Sequence, residues 1–145
     1  MPRHSQLCAL AVLALLAGIR PLAAAEQASV KVTLWDKQDG TMGITLSQDK
    51  VKAGAVEFEV TNTSSAQLHE FLIAPWRRDI KALPYDAKAT QVAEDKVPGL
   101  QGVEDMKPSL QTTLRLVLRP GDYVVFCNQP MHYKMGMERR FTVTP

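Results

Sequence analysis

Cysteine and histidine are scarce in this chain. Its 145 residues hold two Cys and three His, and beyond residue 25 only Cys127, His69 and His132 are left. One remaining thiol excludes an internal disulfide, and two remaining histidines exclude sites that need several imidazoles. Aromatic residues are 6% of the chain, so a core must be built mainly from aliphatic side chains. There is no internal repeat and no low-complexity segment. Long hydrophobic runs are missing too, apart from one at the start.

That run, Leu7 to Ile19, follows the short basic start Met1-Pro2-Arg3-His4 and precedes Ala23-Ala24-Ala25. It is the length of a signal h-region and too short to span a bilayer, and the alanines suit a cleavage site. Cys8 lies before most of the run rather than at its end, which argues against lipid attachment. Residues 1–25 are therefore expected to be a cleaved signal peptide. Residues 26–145 are then a single mature domain in the periplasm, with no membrane insertion after cleavage. Arg3 and Arg20 leave with the leader and no acid does, so fifteen basic residues face fifteen acidic ones. A near-neutral surface of interspersed charge gives no reason to expect nucleic acid or an anionic membrane as a partner.

Most of the mature chain reads as short strands. Val30 to Leu34 and Val56 to Thr61 alternate apolar and polar, with Val56, Phe58 and Val60 facing in. Met42 to Leu46, Leu68 to Ala74, Thr112 to Leu118, Tyr123 to Cys127 and Arg140 to Thr144 complete about seven strands. Asp39-Gly40 and Arg119-Pro120-Gly121-Asp122 are turns, and Val51 to Gly54 is expected to be a bend. Residues 76–110 carry Pro84, Pro98, Gly99, Gly102 and Pro108 and little alternation. They read as one long excursion, with a short helix expected over Asp86 to Lys96. The pattern predicts an all-β fold, a Greek-key β-sandwich or barrel.

Chemistry concentrates near the C-terminus. The segment Cys127-Asn128-Gln129-Pro130-Met131-His132-Tyr133-Lys134-Met135-Gly136-Met137 holds the one mature Cys, one of two His and three of five mature Met. A buried Cys is usually a small hydrophobe and a Met cluster is usually packing, but packing does not explain why these residues bracket one loop. Thiolate and thioether are soft ligands, and imidazole suits copper; two His, one Cys and a weak axial Met make a blue-copper set. Zinc takes Cys and His but seldom thioether. The second imidazole must come from His69, whose strand parity matches Phe71 and Ile73, while Glu70 points the other way.

These pieces resemble the cupredoxins, the type 1 copper proteins that include plastocyanin, azurin, pseudoazurin and rusticyanin. The likeness runs through Val56–Thr61, Asn62, His69-Glu70-Phe71, Arg119-Pro120-Gly121-Asp122-Tyr123 and the Cys-x4-His-x4-Met loop. The stretch from His132 to Met137 is similar to pseudoazurin, and the gap from Cys127 to His132 is more like azurin and rusticyanin. The resemblance implies one copper ion held by His69, Cys127, His132 and Met137, with Met135 the rival for the axial place. Glu70 stands where many members have Asn, and its backbone N–H is expected to donate toward the thiolate. A poorly solvated carboxylate there would favour Cu(II). Glu70 beside His69, and Tyr133 after His132, look more like periplasmic cupredoxins of copper tolerance.

The implied activity is single-electron transfer by a monomer, not enzymatic catalysis. Its partners would be periplasmic redox proteins such as cytochromes, met at His132 inside a rim of Pro130, Met131, Tyr133 and Met135. The second reading is a copper-handling protein for tolerance or delivery. An enzyme is the weakest option. A Cys–His hydrolase needs an oriented pair and a cleft, and a copper reductase needs a second metal site for which no histidine is left.

Overall fold

A computed structural model describes residues 27–77 and 81–145, so the leader expected over 1–25 lies outside the described residues. Among the described residues eleven strands form: β1 (Ala28–Asp36), β2 (Met42–Leu46), β3 (Lys50–Lys52), β4 (Gly54–Asn62), β5 (His69–Pro75), β6 (Tyr85–Asp86), β7 (Gln91–Val92), β8 (Gln101–Met106), β9 (Gln111–Leu118), β10 (Gly121–Phe126) and β11 (Glu138–Thr144). One sheet has the order β2-β1-β4-β9 and the other β3-β11-β10-β5-β8, with β6-β7 a separate hairpin. The pairs β1/β4 and β11/β3 are parallel and the rest antiparallel. The all-β sandwich expected from the alternation is what forms. No helix among the described residues is long and apolar enough to cross a membrane.

The inward residues of both sheets meet in one core. Val30, Val32 and Leu34 of β1 and Val56, Phe58 and Val60 of β4 face Phe71 and Ile73 of β5, Val125 of β10, and Phe141 and Val143 of β11. Phe58 sits at the centre, its ring centroid 5.2 Å from Phe71 and 5.5 Å from Phe141. Burial of such side chains is worth about 1.5–3 kcal/mol each, and the period-2 pattern forces them to one face. Cys127, His69 and Met137 lie at one end of this interior, all fully buried.

Two local expectations are corrected. Val51 to Gly54 is not only a bend: Lys50–Lys52 is a short strand that pairs with β11 and buries Val51. Asp86 to Lys96 is not a helix but the hairpin β6-β7 followed by a 3₁₀ turn at Glu94–Lys96. Asp86 Oδ1 accepts from the backbone N–H of Lys88 and Ala89, an Asx-type bend that competes with helix initiation.

The excursion is a second layer. Leu83, Val92 and Val97 pack with Leu72, Ala74, Val124 and Phe126 on the outer face of the second sheet. Strand β5 is therefore covered on both sides, and His69 through Ala74 are all buried. Strand β8 runs alongside β5, and Gly102 permits it: a Cβ there would strike the Phe71 carbonyl oxygen and come within 2.8 Å of Leu72 Cα. The register slips between His69↔Met106 and Phe71↔Val103, a bulge opposite Glu70 that leaves Asp105 with φ of 48°.

Candidate metal centre

His69 opens β5 and Cys127 follows β10, its neighbour in the sheet. The turn after Cys127 brings His132 back over the sulfur. His132 N–H donates to Gln129 O at 2.9 Å and Met137 N–H to His132 O at 3.1 Å. Gly136 closes the turn with φ of 90°, a conformation that suits glycine. Cys127 Sγ then lies 3.4 Å from His132 Nδ1 and 3.8 Å from His69 Nδ1. The three donor atoms fall within 4.8 Å of one another, and all three residues are buried.

Burial sets the charge state of each donor. It pushes the Cys127 thiol up to about 12, against backbone hydrogen bonds from Gln129 and Glu70 that pull the other way. Burial also lowers both histidines, opposed at His69 by Asp36 and reinforced at His132 by His69. Without a cation, burial thus favours a neutral thiol and two neutral imidazoles. A cation that binds thiolate supplies the charge that burial otherwise denies the sulfur.

The fourth expected ligand and its rival are placed differently. Met137 is fully buried in the core with Cys127, and its carbonyl accepts the Cys127 N–H at 3.1 Å. Met135 is 48% exposed.

The side chain of Glu70 points away from the sandwich interior, as strand parity predicts, but it is largely withdrawn from water. It is buried at 7% exposure, and its carboxylate accepts Asn128 N–H at 3.2 Å and Gln129 Nε2–H at 2.6 Å. Burial raises its carboxyl to about 7, against those two hydrogen bonds. Its own backbone N–H donates to Cys127 Sγ at 3.2 Å, as expected. Tyr133 departs from the expected rim. It is half-buried against Phe126, and its hydroxyl accepts Leu83 N–H.

The residues that fasten the loop come mostly from the excursion, and sequence reading missed them. Asn128 pairs with Val92 like a strand residue: its Oδ1 accepts Val92 N–H at 2.6 Å and its Nδ2 donates to Val92 O at 3.0 Å. The same amide donates to Glu94 Oε1, and Gln91 Nε2 donates to Asn128 O, each at 2.6 Å. Thr90 O accepts Met131 N–H at 2.8 Å, with Thr90 and Met131 both at positive φ. The one available signal was an amide side chain directly after the cysteine. On the other side, Asn62 Nδ2 donates to Gln67 O and Met106 O and its Oδ1 accepts Ser64 N–H, which fixes the loop into β5.

With this geometry in place, comparison with solved structures gives the fold a relative. Reduced rusticyanin superposes with a TM-score of 0.62 at 19% identity, over 83% of this chain and 81% of that one. The chain has the cupredoxin fold. Rusticyanin from Thiobacillus ferrooxidans gives 0.61 at 18% identity, over 83% and 79%. Dithionite-reduced auracyanin from Roseiflexus castenholzii gives 0.53 at 21%, over 84% and 99%. No protein-family model and no curated protein sequence matches the chain.

Proposed function

We propose that this chain is an exported type 1 copper protein that carries single electrons between redox partners. The observation that carries the reading is the buried convergence of His69, Cys127 and His132 within 4.8 Å in a cupredoxin fold. One of the similar structures is described as that of a copper protein, rusticyanin, and two as reduced forms. The donor set fits copper: one soft sulfur and two neutral imidazoles, with a buried thioether in the same core. His69, Cys127, His132 and Met137 would hold the ion, which would supply one-electron redox chemistry.

The protein's part is to keep the donors in place and water out. The Glu70 N–H steadies the sulfur, and the surrounding core leaves both sulfur and His69 fully buried. His132 is 8% exposed, so its ring edge is the narrow way out. Pro130, Met131 and Met135 are exposed around it and make an apolar rim for brief docking. The signal-like start of the chain supports a periplasmic location.

The half-exposed thioethers of Met131 and Met135 favour a second reading, in which the chain receives and holds Cu(I) as cargo. One experiment separates the two. A carrier gives a reversible one-electron wave and keeps its copper in both oxidation states. Release of the metal on reduction, or on oxidation, supports handling and contradicts the carrier. Met131→Lys and Met135→Lys are expected to slow exchange with a redox protein, and unchanged exchange removes the rim from the account.

A further inference from the structure

We infer that Asp36 is the positioning residue for His69, fixing which ring nitrogen faces the site and strengthening it as a donor. The inference rests on the copper reading for its consequence but not for its geometry.

Asp36 ends β1 in the first sheet, whereas His69 begins β5 in the second. The two meet across the sandwich, His69 Nε2 lying 3.1 Å from Asp36 Oδ1. Behind Asp36 stands the buried Ser64, whose Oγ accepts the backbone N–H of Ala66 at 3.1 Å and of Gln67 at 2.7 Å. With both acceptor positions used by backbone N–H groups, the Ser64 hydroxyl keeps its own proton available to donate. Asp36 keeps some contact with solvent, its side chain being 16% exposed, and presents Oδ1 to the His69 ring. An ionised carboxylate only accepts. The ring proton of neutral His69 therefore sits on Nε2, and the bare Nδ1 faces Cys127 Sγ.

Two strands from opposite sheets, the end of β1 and the start of β5, thus set one imidazole before any cation arrives. A carboxylate behind a ligand imidazole fixes its tautomer and raises its basicity. The more highly charged ion gains more from that basicity, so Asp36 favours Cu(II) over Cu(I). Among the described residues no carboxylate is hydrogen-bonded to His132 in this way, so the two imidazoles differ in donor strength.

Asp36→Asn and Asp36→Leu separate the two effects. In the metal-free protein, long-range ¹H–¹⁵N correlation reads the His69 tautomer directly. It is expected to show Nε2–H alone in the unaltered chain and in Asp36→Asn, whose amide oxygen accepts the same bond, and a tautomer mixture in Asp36→Leu. With copper, Asp36→Asn is expected to lose about tenfold in Cu(II) affinity relative to Cu(I). That raises the reduction potential by about 59 mV. Either a His69 still locked in Asp36→Leu or an unmoved potential in Asp36→Asn overturns the inference. Failure of the copper reading shows separately, as absence of uptake by the unaltered chain.

Discussion

The two imidazoles of the site are held by different kinds of structure. His69 belongs to a strand covered on both faces, and the far side of its ring meets a carboxylate from the opposite sheet. His132 belongs to a turn, and hydrogen bonds from a separate segment, residues 83–94, hold that turn in place. A strand fixes direction through its pleat and ladder. A loop has no such ladder and must borrow one, here from Val92 through the Asn128 side chain. Residues 83–94 of the excursion are therefore part of the frame of the candidate site.

The comparison can be broken at several points. Asn128→Ala strips Val92 N–H and C=O of their partners in a buried setting. It is expected to cost about 3–5 kcal/mol in urea unfolding of the metal-free chain, since each unpaired buried group costs about 1–3. Amide exchange should quicken first over residues 129–136, with His69 to Ile73 still protected; uniform loosening would mean the two halves are not separate.

Glu70 joins the halves, and its titration sharpens the contrast. Between the ordinary 4.5 and about 7 the folded chain holds a proton that the unfolded chain has lost. Stability therefore falls as pH rises through that window, and the deficit persists above it. The size is about 2–3 kcal/mol, slightly less than the shift implies because some solvent still reaches the group. Glu70→Gln should flatten this slope and be relatively more stable at pH 8 than at pH 5; equal slopes in denaturant titrations would contradict the assignment.

Asn62→Ala attacks the strand side instead. Losing its bonds to Gln67 O, Met106 O and Ser64 N–H should cost about 2 kcal/mol. The smallest effect is at Met131, a side chain at φ of 70° beside His132. Met131→Gly relieves about 1 kcal/mol of left-handed strain, partly offset by the greater freedom of glycine when unfolded. A net gain of about 0.5 kcal/mol is expected in thermal unfolding, and a loss would show that the Met131 side chain contributes more than its backbone costs.

Which of these features the sequence disclosed follows from the range of the interactions. Val56, Phe58 and Val60 alternate within a few residues, so the core face was legible. Cys127 and His132 share one turn, and His69 followed because no other histidine remained. The small strands β3, β6, β7 and β8 were not legible, because each exists by pairing with a distant or irregular neighbour rather than by its own pattern. That Glu70 points away from the interior was legible, but parity says only which side of a sheet a residue takes, not whether its carboxylate is buried there. Asp36 carries no signal in the sequence that links it to His69, 33 residues away, and only the packing of the two sheets puts it behind that ring.

In the proposed function one sulfur and two imidazoles at the end of the sandwich hold a single copper ion. The direct measurement is the visible absorption and paramagnetic resonance spectrum of the purified chain with one equivalent of Cu(II), beside Cys127→Ser. An intense thiolate-to-copper charge-transfer band that saturates at one equivalent and vanishes in Cys127→Ser is the predicted result. No such band, or a band that survives the loss of the thiol, would contradict it.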